Sequence, residues 1–195
     1  MPSPVAALFA IASAVSSGPD SANSPPPAAG LPAAWEGVWR GDAIATAPGP
    51  GAKPMTFTME LRVAPKPAEA GAAQRWSWTI IYDGAQGRQE RPYTLVAKDP
   101  AKGLYEIDEH NSIVLPATLV GDALVSPFDV GGNLLVTSYT LTRDPETINF
   151  RIFVVASEKP AVTGGKEGVP EVRGYPVSSG QWATLRRVNP EPASK

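Results

Sequence analysis

The stretch WEGVWRG, from Trp35 to Gly41, decides the fold of this 195-residue chain. Two tryptophans and two glycines are interleaved there, where a leader rich in proline and alanine gives way to patterned sequence. Tryptophan fills a large volume, whereas glycine allows a neighbouring backbone to approach closely. We therefore interpret the stretch as the opening strand of a β-barrel.

Downstream of this stretch, apolar and polar residues alternate with a period of two. From Met55 to Val63, apolar side chains occupy every second position and Thr, Glu or Arg fill the positions between them. The same alternation recurs in 76–82 and 148–154, and it is typical of half-buried antiparallel strands. Turn-forming pairs such as Asp83-Gly84 separate the runs, and no window shows the spacing of an amphipathic helix.

These features predict an all-β fold. The connections are short enough for hairpins, so an antiparallel up-and-down meander of about eight to ten strands would close into a barrel without exposed edges. A β-sandwich is the alternative, since it is built from the same kind of strand.

The amino-terminal third of the chain changes composition twice. The apolar, uncharged run Val5 to Val15 is typical of a signal peptide, although no Lys or Arg precedes it. We predict a signal peptide at 1–22, a disordered Pro/Ala-rich linker at 23–34, the barrel at 35–188 and a disordered tail at 189–195. The expected location is therefore extracytoplasmic, either periplasmic or secreted.

Charge and cysteine content limit the functions that we consider. Seventeen basic and nineteen acidic residues leave a net charge of -2, so we expect no nucleic-acid partner. Eleven apolar residues are too few to span a bilayer as a helix, so we expect no integral membrane segment in the mature chain. The absence of cysteine excludes disulfides and thiolate metal sites. The oligomeric state is left open.

Gly37-Val38-Trp39 resembles the Gly-x-Trp signature that opens the first strand of lipocalins and other calycin-like barrels. The resemblance implies that Trp39 packs at the closed end of the barrel beneath a basic side chain from the last strand. The run QWATLRRV, 181–188, offers Arg186 for this role, because it shares a face with Trp182; a bulge would exchange it with Arg187. The structural set at the barrel floor is thus Gly37, Trp39, Gly41 and Arg186.

Two further resemblances concern the family and a haem cofactor. The stretch from Tyr105 to Leu141 is similar to small secreted bacterial proteins of unassigned function. Residues 37–41 also resemble the opening of nitrobindin-like haem barrels, whose haem-binding histidine lies near the carboxyl end. His110, in mid-chain, is the only histidine of this sequence, so we expect neither haem nor another cofactor.

The densest polar cluster is Asp108-Glu109-His110-Asn111. Two carboxylates beside an imidazole could form an acid/base pair or part of a metal site, but this composition is also typical of a hairpin turn. We favour the turn, because no further metal ligand is identifiable and no Gly-x-Ser-x-Gly motif is present. No catalytic or metal-binding residue is therefore predicted, and enzymatic activity is the less favoured expectation.

Aromatic and apolar side chains on the predicted strands give the leading functional hypothesis, a cavity for a small hydrophobic or aromatic ligand. A barrel of this size is either filled by its own side chains or holds one small ligand. The alternative is therefore a filled-core interaction or structural module of the cell envelope; an enzyme using the cavity ranks third. The candidate cavity residues are Phe57, Met59, Trp76, Trp78, Tyr82, Phe128 and Phe150.

Overall fold

The computed structural model describes residues 31, 33–67, 71–143, 146–158 and 160–188. The predicted signal peptide and carboxyl-terminal tail lie outside the described residues, as does most of the predicted linker. Within the described part, the fold is all-β, as predicted. The strands are β1 (Gly37–Thr46), β2 (Met55–Lys66), β3 (Arg75–Gly84), β4 (Gly87–Asp99), β5 (Leu104–Asp108), β6 (Val114–Val120), β7 (Ala123–Val130), β8 (Asn133–Arg143), β9 (Glu146–Ala156), β10 (Ala161–Thr163), β11 (Val172–Gly174) and β12 (Val177–Val188).

Ten of these strands form a closed antiparallel barrel. Each of β1 to β9 pairs with its neighbour in sequence, β9 pairs with β12, and β12 pairs with β1 to close the ring. The remaining two, β10 and β11, form a small separate hairpin inserted between β9 and β12. The up-and-down meander is confirmed, and the closed ring excludes the β-sandwich.

Period two decides which side chains enter the barrel. On β2, Met59, Leu61 and Val63 are buried, and the residues between them face outward. Glu60 is an outward-facing residue that is nevertheless buried, because Arg62 Nε lies 2.6 Å and Arg40 Nε 3.5 Å from its carboxylate oxygens. The alternation therefore predicts the inward-facing residues of β2 correctly. The buried Glu60 on the outer face is stabilised by its pairing with the two arginines.

The two glycines of the opening strand are required where β1 meets the end of β12. A Cβ on Gly41 would clash with the backbone carbonyl of Thr184. Gly37 has a φ of +131°, a conformation that side-chain-bearing residues rarely adopt, and a Cβ there would meet the Arg187 guanidinium. Both positions therefore need glycine for the close approach that the sequence suggested.

The barrel has two different ends. At the first, which we call the floor, β1 begins and β12 ends, and Leu31 and a 3-10 turn at Ala33–Trp35 pack into the opening with Leu31 5% and Trp35 1% exposed. At the opposite end, which we call the mouth, the β3–β4 turn lies beside the connections 47–54, 109–113, 131–132 and 157–176. Within the described residues, no helix is long and apolar enough to cross a membrane.

Candidate functional site

The floor is sealed by a tryptophan and an arginine. Trp39 is fully buried, its Nε1 donates a 2.9 Å hydrogen bond to the carbonyl of Trp35, and the Arg187 guanidinium carbon lies 4.2 Å from its ring centroid. A guanidinium over an indole face is stabilised by the ring quadrupole. The floor geometry expected from the resemblance is therefore present, but with Arg187 in place of Arg186.

The choice of Arg186 was wrong because the inward face of β12 was assigned one residue out of phase. Ala183 and Leu185 are buried, whereas Trp182 is 37% exposed on the outer surface. Arg186 shares that outer face and pairs in register with Arg40, while Arg187 pairs with Trp39. No bulge intervenes, since the register of β12 is continuous from Ser179 to Arg186.

Arg187 ties the amino-terminal turn to the end of the barrel. It donates to the backbone carbonyls of Ala34, at 2.8 Å, and Glu36. It also donates two hydrogen bonds to the carboxylate of Glu146 at the start of β9, one of 3.0 Å from Nε and one of 2.7 Å from Nη2. These bonds hold the pKa of Glu146 below its ordinary value of 4.5. The floor is thus closed by packing and hydrogen bonds.

An open cavity of about 340 Å³ lies at the mouth. Phe57 and Tyr82 line it, together with Leu135, Ile152 and Val154 from β8 and β9 and the turn joining β3 to β4. A side chamber of about 90 Å³ adjoins it, because Tyr82, Arg91 and Ile152 line both spaces. The mouth therefore offers two neighbouring spaces, each lined by apolar and polar side chains.

The seven predicted cavity residues fall into two groups. Five line one or both spaces: Phe57, Trp78, Tyr82, Phe128 and Phe150. Met59 and Trp76 line neither space and are fully buried in the core; the Trp76 indole N–H lies 3.3 Å from the Glu36 carboxylate near the floor.

The side chamber is narrowed by aromatic packing. Tyr139 meets Trp78 edge-on at 5.1 Å between ring centroids and lies 5.0 Å from Phe150. Burial raises the pKa of Tyr139 well above its ordinary value, so its phenol is neutral at physiological pH. The buried Trp78 indole N–H is a hydrogen-bond donor beside the Tyr139 phenol. This wall is therefore apolar apart from the indole N–H and the phenol.

Arg91 is a charged residue of the mouth that the sequence analysis did not identify. Arg91 is on β4, where it pairs with Ile80 of β3 and faces inward. Its guanidinium carbon lies 5.1 Å from the Tyr82 ring centroid. Burial raises the pKa of Tyr82 and Tyr93, and the adjacent Arg91 opposes that rise at both phenols. The signal was available, since Gln89, Arg91 and Tyr93 continue the period of two back from the buried Leu95.

The cluster around His110 forms the predicted turn between β5 and β6. The backbone N–H of His110 donates a 2.8 Å hydrogen bond to the Asp108 carboxylate, and the backbone N–H of Ile113 donates a 3.0 Å hydrogen bond to the side-chain oxygen of Asn111. The His110 ring lies outside the barrel, where Nε2 is 2.9 Å from the hydroxyl of Thr94. Within the described ranges, no group of three or more His, Cys, Asp or Glu residues could hold a metal ion.

Comparisons with known sequences find no match, whereas the comparison with solved structures finds similar chains. No protein-family model matches the chain, and no curated protein sequence is significantly similar to it. The crystal structure of Rv2717c from M. tuberculosis aligns with a TM-score of 0.39 and 14% sequence identity, covering 80% of this chain and 94% of that chain. The strand pairing of this chain shows the closed ten-stranded antiparallel barrel.

Proposed function

We propose that this chain is an extracytoplasmic, lipocalin-like barrel that binds a small hydrophobic or aromatic molecule at its mouth. The observation that carries the proposal is the cavity of about 340 Å³, which is within the range of small-molecule sites. Its wall combines apolar side chains with a few polar groups, as such sites do. The sealed floor supports entry from the mouth.

Binding of a neutral fluorescent probe, N-phenylnaphthylamine, tests this function. Leu135 points into the mouth cavity, whereas its neighbour Val136 lies on the outer face of β8. Leu135→Trp fills the cavity and should weaken probe binding by about tenfold or more, equivalent to about 1.4 kcal/mol. Val136→Trp is the matched control and should bind as the parent protein does. Absence of probe binding to the parent, or equal binding by both variants, would refute the proposal.

The outer surface supports the second candidate, an interaction module. Ile44 pairs in register with Trp182, and Val136 pairs with Phe153, on adjoining outward-facing rows. Trp182 is 37% and Phe153 40% exposed, so the rows place aromatic surface in contact with solvent. Concentration-dependent association that Trp182→Ala abolishes, in a protein that does not bind the probe, would favour this function.

The proposed location depends on the apolar run at 5–15, which lies outside the described residues. Expression in a bacterial host, followed by mass spectrometry of the exported protein, tests it. A mature chain that begins near residue 23 is expected. A chain that stays in the cytoplasm and begins at Met1 or Pro2 would contradict the proposed export.

A further inference from the structure

Arg91 places a positive charge in the wall of the mouth cavity. Its side chain lines both the cavity and the side chamber, and it is exposed, so a molecule entering the mouth can reach it. The Tyr82 ring lies against one face of the guanidinium, and the Tyr93 phenol is a neutral hydrogen-bonding neighbour of the same group. A carboxylate is a stronger acceptor for a guanidinium than a neutral phenol is.

This charge has no carboxylate partner within the described part of the chain, where no Asp or Glu oxygen lies within 4.0 Å of it. Its neighbours on β4, Arg88 and Glu90, lie on the outer face and pair with each other at 3.7 Å. Among the described residues that line the mouth cavity, Arg91 is the sole charged one; the other long polar side chains are Gln86, Gln89 and Gln181.

The side chamber carries the opposing charge. Glu109 lines it, and the pKa of Tyr93 is raised first by burial and then by the nearby Glu109 charge. Arg91 lines both spaces, but the described lining of the mouth cavity contains no carboxylate, so an anion is favoured there over the side chamber. Phe57, Leu135 and Val154 line the same cavity and offer apolar surface for an uncharged part of the same molecule.

We propose, building on the ligand-binding function above, that the mouth cavity selects a compact carboxylic acid with an apolar body and holds its carboxylate on Arg91. The planar guanidinium matches a carboxylate with two parallel N–H bonds. A single arginine balances the single charge of a carboxylate. The cavity volume of about 340 Å³ favours short acyl or single-ring aromatic acids.

Competition against N-phenylnaphthylamine with matched pairs of acid and alcohol tests the proposal. The pairs are octanoate with octanol and cinnamate with cinnamyl alcohol, at neutral pH, where both acids are ionised. Each acid should displace the probe at a concentration about tenfold lower than its alcohol, because a charge-assisted hydrogen bond is worth more than a neutral one. The preference should shrink when ionic strength is raised from about 0.05 to about 0.5 M.

Variants assign the preference to its residue. Arg91→Met should abolish the preference for the acid, so that each acid and its alcohol compete at the same concentration, and Arg91→Lys should keep part of the preference. Arg88→Met, on the outer face of the same strand, should behave as the parent protein. Acids and alcohols that compete equally, or a preference that survives Arg91→Met, would overturn this proposal and leave the apolar binding function standing. Failure of the probe and of every competitor to bind would instead overturn the binding function.

Discussion

Truncating Trp39 to alanine should destabilise the barrel more than any change to the exposed tryptophan Trp182. Trp39 is fully buried, and its indole N–H satisfies the carbonyl of Trp35 at 2.9 Å. Its ring also supports the Arg187 guanidinium at 4.2 Å. The substitution therefore removes apolar volume, a buried hydrogen bond and a cation–π contact together.

The magnitude follows from these three losses. Burial and cavity terms for a tryptophan reduced to alanine cost about 3 to 5 kcal/mol. The carbonyl of Trp35 loses its partner, and the cation–π contact contributes about 0.5 to 2 kcal/mol, although the terms overlap at a shared site. We expect a loss of about 4 kcal/mol or more in the free energy of unfolding, against a typical total of about 5 to 15 kcal/mol.

Urea unfolding followed by far-ultraviolet circular dichroism measures this loss without depending on tryptophan fluorescence. Trp39→Phe keeps most of the volume and loses the N–H donor, so its midpoint should fall between those of Trp39→Ala and the parent. Trp182→Ala is the matched control and should cost about 1 kcal/mol or less, as expected of a surface change. If Trp39→Ala is as stable as this control but no longer binds the probe, Trp39 belongs to the ligand site and the structural assignment is wrong.

Two further predictions concern the floor. Arg187→Met should lower stability by about 2 to 4 kcal/mol, through loss of its bonds to backbone carbonyls and of the indole contact, whereas Arg186→Met should be nearly neutral in the same urea assay. The opposite ranking would show that the assigned phase of β12 is incorrect. Because Arg187 lowers the pKa of Glu146, the folded state favours the ionised carboxylate; this stabilisation is present above pH 4.5 and is lost as pH falls through the lowered pKa. Glu146→Gln should therefore reduce the slope of the free energy of unfolding against pH on the acid side. Part of the remaining slope should come from Asp99, whose pKa is lowered by Lys102. An unchanged slope would contradict the ion pair between Arg187 and Glu146.

Local chemistry was sufficient to predict the architecture. The alternation from Met55 to Val63 identified the inward face of β2, because a half-buried strand must place apolar residues at every second position. The predicted turn pair Asp83-Gly84 lies at the end of β3, directly before the two-residue turn at 85–86. Closure followed from topology, since a meander with hairpin links must otherwise leave two edges exposed.

The phase of β12 could not be predicted in the same way, because both of its faces carry apolar and basic residues. Trp182 on one face and Leu185 on the other are equally good core candidates from sequence alone. Pairing with β1 decides the matter: Ala43 lies opposite Ala183, both are buried, and the two small side chains allow the strands to meet. A shift of one residue moves every side chain to the other face, so Arg187 moves in and Arg186 moves out.

Arg91 was missed for a related reason, which also explains why the two arginines have different roles. A charge at an inward-facing position argues, in a sequence, against a buried strand, and Arg91 occupies such a position near the start of β4. At the floor, the charge of Arg187 is tolerated because its guanidinium donates hydrogen bonds to Glu146 and to two backbone carbonyls. At the mouth, Arg91 rests on a tyrosine ring beside an open cavity, with no carboxylate of the described residues within 4.0 Å. The charge of Arg187 is thus neutralised within the closed end of the fold, whereas the charge of Arg91 lies in the wall of an open cavity.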